Sequence, residues 1–314
     1  AVLDKRYEIA VLFDVSNGNP NGDPDGDNTP RIDPETGHGL VTDVCLKRKV
    51  RNFVALTREF APPYDIYVKE RGILANEQKK AFLAIGEEAG DTPNLRARAW
   101  MCRNFFDVRT FGAVMSTGKT EEGEEGGKGK SGKKQKLWNC GQVRGPVQFS
   151  FSRSIDRIQP LTHTITRVAL TNTSDRGGKA VSEEGDEEKA GSGQMGRKHG
   201  VPYGLYRAHI FVSPFLAADT GFTRGDMVVL LEALTQLFEL DRSASRGEMA
   251  VRGVYLFEHE LKLGNAPAHK VLETVRVQLN PDVTTPRSFT DYAVTAPENG
   301  THAVPGVTCY RLVS

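Results

Sequence analysis

A strand, a polar loop and a basic helix follow one another between residues 6 and 58, and this succession constrains the fold more than any other part of the chain. Tyr7–Phe13 alternates with period two, but both sides are apolar, which is typical of a strand buried on both faces. The strand should end at 17–24, where almost every residue is a turn former. A helix should begin at Thr42, because threonine is a favoured N-cap and Asp43 suits the positive end of the helix dipole.

This helix presents an apolar stripe and a basic surface. The apolar-stripe residues, which should face a sheet, are Leu46, Val50, Phe53, Val54 and Thr57. The basic residues off the stripe are Lys47, Arg48, Arg51 and Arg58, with Lys49 near its edge. Such a cluster is either a solvated helix face or a surface for a polyanion, and this stretch alone favours neither.

Composition sets further limits. The 314 residues suffice for one elaborated domain or for two, and 41 Lys and Arg against 40 Asp and Glu give no marked excess of positive charge. Acidic residues are concentrated at 23–35, 121–125 and 183–188, so basic patches remain elsewhere. Four scattered cysteines without a C-x-x-C pair favour free thiols over disulfides or a zinc site. Because there is no signal-peptide pattern and no apolar run near ~20 residues, we expect a soluble, cytoplasmic protein.

Two segments interrupt the regular pattern in the first half. Residues 60–106 are predicted to form an inserted, mostly helical subdomain with a short strand at Asp65–Lys69 and a helix at Asn94–Phe106. The residues on one stripe of that helix are Leu95, Ala99, Cys102 and Phe106. Residues 116–136 are predicted to be a disordered loop, because they have almost no apolar side chain to offset the entropy of ordering.

The second half supplies further strands and a second helix. Val143–Arg153 alternates cleanly, and 160–202 has two extended arms joined by a polar tip, which predicts a long hairpin. Thr223 and Asp226 form a T-x-x-D relative of the capping box at the start of an amphipathic helix that runs through Phe238. The other predicted strands are Tyr203–Val212, Val251–His259 and Thr274–Leu279.

Without the insertions, the elements follow in the order strand, helix, strand, strand, helix, strand. This order is typical of an α+β, RRM-like (ferredoxin-like) fold, in which two helices cover one face of an antiparallel sheet. We therefore predict a single elaborated RRM-like domain over 1–314, with no strong period in 280–314. The fold hosts many functions and does not by itself assign one.

The sequence contains near matches to a P-loop and to an EF-hand calcium loop, but both lack required residues. Residues 118–120 and 129–131 resemble the end of a P-loop, but they lack the correctly spaced glycine and the strand-to-helix frame. The alternate aspartates of 23–27 are spaced as calcium ligands, yet Asn28 replaces the EF-hand glycine and Pro34 the final glutamate, so a hydrogen-bonded turn is favoured over a cation site. We predict no metal and no cofactor.

An RNA-binding motif is also only partly present. Arg144–Phe151 echoes the R-G-x-x-x-x-x-F signature of RRM domains, but Pro146 and Gln148 occupy the positions that would stack bases. If RNA binds, its groove should be built from the loop 17–24, the basic helix and the hairpin, and not from the sheet.

Five short motifs follow one another along the chain, and their order and spacing matter as much as their residues. They are Ser16–Pro24, Leu46–Asn52, Arg109–Gly112, Gly141–Pro146 and Met195–His199. Together they resemble the crRNA-binding backbone subunit of type I CRISPR Cascade, in the Cas7 family of the RAMP superfamily, and specifically its type I-C group. The resemblance extends from about Arg6 to Val277, with 116–136 as an insertion.

The resemblance implies a right-hand shape, with an RRM-like palm, fingers formed by 60–106 and a thumb hairpin at 160–202 that reaches a neighbouring copy. It implies that copies polymerise along a guide RNA, holding its phosphates and leaving its bases free to pair with target DNA. The implied partners are crRNA, target DNA by way of the guide, further copies of the chain, the RNA-processing cap subunit, the large and small subunits and, indirectly, a recruited helicase-nuclease. It implies no enzymatic activity in this subunit.

The resemblance also provides candidate RNA-binding residues. Lys47, Arg48 and Arg51 match the basic-helix positions of the family, and Met195 is either an apolar wedge at a kink in the guide or a packing residue of the hairpin root. Three further arginines could equally pair with an internal carboxylate instead of RNA: Arg109, Arg144 and Arg246. The remaining candidates are Asn17, Asn19, Asn21, Arg31, Arg197, Lys198 and His199.

A catalytic alternative stays open at the hairpin root. His199 lies beside two other basic residues and is a candidate general acid or base on an RNA backbone. The chain would then be a metal-independent CRISPR RNA endoribonuclease of the same superfamily. A more distant alternative is metal-dependent cutting of bound target RNA by a loop carboxylate such as Asp23 or Asp33.

Overall fold

The computed structural model describes residues 1–116, 137–167 and 194–313. Nearly all of the predicted disordered loop, and the tip of the predicted hairpin, therefore lie outside the described residues. Within the described ranges, no helix is long and apolar enough to cross a membrane.

The helices and strands of the described residues are numbered separately, each in chain order. The helices are α1 (Asp43–Thr57), α2 (Leu74–Ile85), α3 (Leu95–Asn104), α4 (Phe106–Phe111), α5 (Pro214–Thr220), α6 (Arg224–Thr235) and α7 (Ala268–Leu272). The strands up to residue 144 are β1 (Tyr7–Gly18), β2 (Gly22–Asp23), β3 (Thr29–Pro30), β4 (His38–Val41), β5 (Gly112–Met115) and β6 (Gly141–Arg144). The later strands are β7 (Val147–Phe149), β8 (Ser152–Arg157), β9 (Leu161–Arg167), β10 (Gln194–Val212), β11 (Glu248–His259), β12 (Arg276–Leu279), β13 (Tyr292–Thr295), β14 (Thr301–Val304) and β15 (Val307–Val313).

One large antiparallel sheet organises these elements. Its strand order is β14-β15-β11-β1-β10-β8-β4, and β7 and β9 also pair with β10. The long strand β1 lies in the middle and pairs antiparallel with β10 on one side and β11 on the other. The protein thus has a mixed fold of helices around a large antiparallel sheet.

The central strand β1 is buried on both faces, and this prediction is confirmed. Ile9, Val11 and Phe13 lie on one face, in a core that α1 and α6 complete. Ala10 and Leu12 lie on the other face, in a second core that includes residues of α7 and β15. The C-terminal segment therefore covers the sheet face that the helices leave open.

The region predicted as an insertion has a core of its own. Tyr67, Phe82 and Met101 belong to this third cluster, which also takes in residues of α4, β5 and β6 beyond residue 106. The predicted strand at Asp65–Lys69 is wrong, because only an isolated bridge between Asp65 and Phe105 forms there. It stays short because Tyr67 N and Val68 N donate to the Asp107 carboxylate and not to a neighbouring strand.

The stripe predicted for the helix at Asn94–Phe106 is also partly wrong. Helix α3 ends at Asn104, and the chain turns into α4 at Phe106. Ala97 and Met101 are buried, whereas Leu95 is 75% exposed. Leu95 begins the helix, where its side chain projects beyond the neighbouring elements that cover the middle turns.

The single strand predicted at Val143–Arg153 is divided into β6, β7 and β8. Gly145 and Pro146 separate the first two strands, since proline has no N–H to continue a ladder. A Cβ on Gly145 would lie 2.2 Å from the carbonyl carbon of Phe111, so only glycine permits the close crossing of the two segments. Phe151 lies in the break between β7 and β8 and is 58% exposed, whereas the alternation predicted it on the same side as the buried Phe149.

The C-terminal region is more regular than its sequence suggests. Strands β14 and β15 extend the central sheet beyond β11, although no period predicted them. Strand β12, predicted as Thr274–Leu279, pairs with β13 in a separate two-stranded sheet. By contrast, the predicted capping box of α6 is confirmed by both reciprocal hydrogen bonds between Thr223 and Asp226.

Candidate nucleic-acid interface

An open pocket of about 380 Å³ lies at the N-terminus of α1, beside the loop that follows β1. The charged and amide residues that line it are Asn21, Arg31, Arg48, Lys49, Asp241 and Arg246. Four of these side chains are cationic and one is a carboxylate, and the helix N-terminus adds a partial positive charge. Burial raises the pKa of the Cys45 thiol, which also lines the pocket, so it adds no negative charge at neutral pH. We call this site the basic pocket.

The asparagines of the loop shape the wall of the basic pocket. Asn21 Oδ1 accepts hydrogen bonds from Thr42 N at 2.9 Å and Thr42 Oγ1 at 3.0 Å. Thr42 in turn caps α1 by accepting from Cys45 N, as predicted. Asn19 is buried and donates to Asn28 O at 2.7 Å. Of the asparagines predicted to contact RNA, Asn21 thus fixes the loop against the start of the helix, and Asn19 closes the loop on itself.

Arg31 and Arg48 are the cations best placed to meet an incoming anion. Arg31 Nη1 lies 3.3 Å from Asp23 Oδ1, and its side chain is 30% exposed. Its Nε is buried and has no hydrogen-bond partner among the described residues. Arg48 is 39% exposed and contacts the exposed Glu70 at 3.3 Å. Both side chains can therefore turn toward a phosphate without uncovering a buried carboxylate.

Lys49 and Arg246 share one carboxylate at the back of the pocket. Arg246 Nη1 lies 2.6 Å from Asp241 Oδ1, and the buried Lys49 pairs with the other oxygen. Lys49 was predicted only to lie near the edge of the apolar stripe. It falls three residues after Leu46 and four before Phe53, and a lysine at such a position indicates a buried partner.

Lys47 and Arg51 face away from the basic pocket. Lys47 Nζ is 2.9 Å from Asp43 and 5.9 Å from the ring centroid of Phe111. Arg51 Nε is 2.8 Å from Asp107, and both basic side chains are only 12% exposed. The prediction of one clustered positive surface on α1 is therefore wrong, because internal carboxylates divide it. The prediction of phosphate contacts for these two residues remains a prediction.

Arg109 and Arg144 lie apart from the pocket. The guanidinium of Arg109 is buried, where it donates to Asp226 Oδ1 at 2.7 Å and packs over the ring of Tyr64. Its side chain joins the third core cluster to α6. This ion pair is the internal carboxylate partner that the sequence analysis gave as an alternative to RNA binding. Arg144 is exposed and shares a pocket with Tyr7, at the end of β1 opposite the loop.

The hairpin of β9 and β10 meets the loop after β1. Its strands pair from Gln194 with Arg167 to Gly200 with Leu161, so the two arms of the predicted hairpin are confirmed. Met195 lies in this ladder, and its side chain is outside the described part of the structure.

Three basic residues of the hairpin root lie near the loop. Arg197 Nη1 and His199 Nε2 are 4.0 Å and 3.7 Å from Asp27 Oδ2. His199 Nδ1 also forms a 2.9 Å hydrogen bond with Thr162 Oγ1. Lys198 and Asn17 line a small pocket of about 230 Å³ on the same root. The loop and hairpin candidates are thus neighbours in space, whereas Arg144 is not.

Similar proteins have been solved within larger assemblies. A chain of a structure described as a CRISPR RNA-guided surveillance complex, pre-nicking, has a TM-score of 0.45 at 14% identity, covering 80% of this chain and 78% of its own. A chain of a second CRISPR RNA-guided surveillance complex has a TM-score of 0.45 at 14% identity, with 84% and 73% covered.

Sequence comparison is more specific. A CRISPR-associated protein Cas7 from Haloferax volcanii is 31% identical over 179 residues, which are 55% of this chain and 50% of that protein. The alignment therefore spans half the length of this relative. The family model described as CRISPR-associated protein Cas7 matches residues 5–297. Because that match covers nearly the whole chain, this protein belongs to the Cas7 family of CRISPR-associated proteins.

Proposed function

We propose that the chain is a crRNA-binding, oligomerising backbone subunit of a type I-C CRISPR Cascade surveillance complex. It holds the guide by its phosphates and leaves the bases free to pair with target DNA. The basic pocket carries this proposal, because it joins four cations and a helix N-terminus around an open space. Contacts of this kind recognise charge and not sequence, as a holder of varied guides requires.

The topology supports an RRM-like palm for this subunit. The strand order β11-β1-β10-β8 is antiparallel throughout, and α1 and α6 pack against one face, as in a ferredoxin-like unit. The opposite face carries the second core and is covered by the C-terminal segment. RNA would therefore bind along the loop, the start of α1 and the hairpin, and not across the sheet.

The inserted region and the hairpin complete the proposed hand. The third core cluster would form the fingers, and the hairpin at 160–202 would be a thumb that reaches a neighbouring copy. The assembly would also contain the RNA-processing cap subunit and the large and small subunits, and would recruit a helicase-nuclease. We place this non-catalytic role in the cytoplasm.

Removing the two accessible cations of the basic pocket tests the function. We expect Arg31→Ala with Arg48→Ala to lower the guide RNA that copurifies with the chain by about tenfold or more, because each lost charged contact weakens binding by ~1 kcal/mol or more. The RNA is measured by denaturing gel and absorbance after expression with a guide-encoding array.

The matched control is Arg242→Ala. Arg242 is 60% exposed and pairs with Glu239 outside the pocket lining, so the control variant removes one of the two charges that the double variant removes, from a neighbouring surface. A double variant that folds normally and retains as much guide RNA as the control would count against the proposed function.

The surroundings of His199 favour a second candidate function, that of a metal-independent CRISPR RNA endoribonuclease. The His199 ring lies between Thr162 and Asp27, an arrangement in which a carboxylate can orient an imidazole. Incubating the purified chain with repeat RNA in EDTA separates the two functions. Cleavage that disappears in His199→Ala would support the enzyme, whereas protection of the RNA without cleavage would support the backbone subunit.

A further inference from the structure

A second and larger cleft lies at the hairpin root, apart from the basic pocket. Its volume is about 960 Å³, and it is bounded by the end of β8, the start of β9, the root of β10 and the loop after β12. Ile155, Tyr203 and Leu279 form its floor and belong to or pack on the second core. Ile158, which belongs to the first core, also lines it, so the cleft opens at the edge of the sheet beside the C-terminal segment. We call it the root cleft.

Two arginines of the root cleft are unusually free. Arg157 and Arg287 are both exposed, and within the described ranges neither guanidinium has a hydrogen bond or ion pair. This differs from Arg51 and Arg109, which internal carboxylates already hold. One carboxylate, that of Asp156, also lines the cleft, but it accepts a 2.7 Å hydrogen bond from Tyr292 OH.

The remaining polar groups of the cleft are mostly neutral. Gln159, Thr284 and Thr285 line it, and their side chains have no hydrogen-bond partner among the described residues. Guanidinium forks bind phosphate oxygens well, and hydroxyl and amide groups commonly add contacts to phosphate and sugar. Among the described lining residues, Tyr203 is the only Phe, Tyr or Trp, and at 6% exposure it offers no stacking face for a base. His38 also lines the cleft, and its half-buried ring is held by a 2.9 Å hydrogen bond between Nδ1 and Ser154 O. These groups suit a nucleic-acid backbone and do not suit base recognition.

The root cleft continues into the surface that already carries RNA-binding candidates. It shares Leu161 and Pro202 with the small pocket of the hairpin root. That pocket also contains Asn17 and Lys198. An anionic strand lying along this groove would pass from Lys198 to the two free arginines. Such continuity favours a nucleic acid over an acidic peptide.

Building on the proposed guide-binding function, we propose that the root cleft binds the sugar-phosphate backbone of a single-stranded nucleic acid through Arg157 and Arg287. This is a second backbone contact, since the root cleft and the basic pocket share no lining residue. The strand is either a continuation of the guide or the target strand paired to it. Both present the same chemistry to the cleft.

The test uses Arg157→Ala with Arg287→Ala in the full chain, purified with its guide. The matched control is Arg153→Ala, on the same strand β8, because its guanidinium is already occupied by Asp33 at 2.6 Å and lies outside the cleft. One readout is the amount of copurified guide and the length that the protein protects from nuclease. The other is the binding of a labelled complementary DNA strand as a function of salt.

Losing two phosphate contacts should reduce the magnitude of a log-log salt slope by about 1.4. A smaller slope for the DNA strand with unchanged guide assigns the cleft to the target strand, and less guide or a shorter protected length assigns it to the guide. Either result supports the inference. Unchanged values in both readouts, or equal losses in the control, would overturn it. Failure of the proposed function looks different, because the unaltered chain would then carry no guide at all.

Discussion

Three largely buried carboxylates hold basic side chains that the sequence offers as RNA-binding candidates or places near them. Asp107, Asp226 and Asp241 each hold at least one cation in the interior. Removing a charge from water is costly unless a partner compensates, so each carboxylate and its cation depend on one another. Cations to which the described ranges supply no such partner, such as Arg157, are the ones available to a ligand.

The Asp241 cluster gives a stability prediction. We expect Asp241→Ala to lower the free energy of unfolding by about 3 kcal/mol, because Lys49 is only 2% exposed and would keep a buried charge without a partner. Urea unfolding measures the change. Glu239→Ala is the control, since Glu239 forms an exposed pair and should change stability by less than about 1 kcal/mol. Equal stabilities of the two variants would show that Asp241 does not compensate Lys49.

The half-buried His209 predicts how the stability of the protein depends on pH. Burial, and secondarily the charge of Arg207, lower the pKa of His209 to about 4, and Arg207 Nε donates to His209 Nε2 at 2.7 Å. The unfolded chain binds this proton near pH ~6.5, so stability should fall as the pH drops from about 6.5 toward 4. Because the ring is partly solvated, we expect a loss of about 1 kcal/mol between pH 7 and 5.

The variant His209→Gln tests this assignment. Urea unfolding at pH 7 and at pH 5 should give a smaller difference in this variant than in the unaltered protein. His302→Gln, which changes an exposed histidine, should leave the difference unchanged. The same pH dependence with and without His209 would assign the proton to another group.

At the scale of the elements, the capped N-termini of α1 and α6 position the residues of the candidate site. Thr42 caps α1 and is itself held by Asn21, so the loop after β1 and the first turn of α1 form one unit. At α6, Thr223 and Asp226 cap each other, and the second oxygen of Asp226 receives Arg109. Local capping thereby also anchors the third core cluster to the sheet.

The α6 cap can be tested by itself. We expect Thr223→Ala to cost about 1 to 2 kcal/mol of stability, because the N3 amide loses its acceptor and Asp226 loses a donor. Thr223→Ser keeps the hydroxyl and should lose much less. Chemical denaturation of both variants provides the measurement. If serine and alanine destabilise α6 to the same extent, the hydroxyl hydrogen bonds are not what stabilises the start of the helix.

At the scale of the whole molecule, the RNA-binding candidates fall at two ends of the sheet. Strand β1 has 12 residues and spans about 40 Å at ~3.3 Å per residue. The basic pocket, the loop and the hairpin root lie at its C-terminal end, whereas Arg144 lies at its N-terminal end. One phosphate path near the loop therefore does not reach Arg144 on the same copy.

This arrangement predicts the salt dependence of the assembly. If each copy neutralises about 3 to 5 phosphates, guide binding should have a log-log salt slope of about −2 to −3.5 per copy. Filter binding or fluorescence anisotropy over a series of salt concentrations measures it. Arg224→Ala should leave the slope unchanged, because Arg224 is 60% exposed, pairs with Asp4 and does not line the basic pocket or the hairpin-root pockets. A slope near zero would exclude a phosphate-holding surface.

Much of the local structure was predictable from the sequence. The double-sided apolar run of β1, the cap at Thr42 and the capping box at Thr223 depend on neighbours within a few residues, and all three are confirmed. The order of strands and helices follows from the same short-range patterns. The C-terminal strands β14 and β15 were missed, because pairing at a sheet edge leaves little trace in local sequence.

The sequence by itself therefore determined the central strand, the starts of α1 and α6, the turn-rich loop and the family, because these depend on residue types at short spacing. Only the tertiary structure decided which cations are free. Arg51, Arg109 and Lys49 find their carboxylates 56, 117 and 192 residues away along the chain. No local pattern records such pairs, since folding alone brings the charges together and buries them.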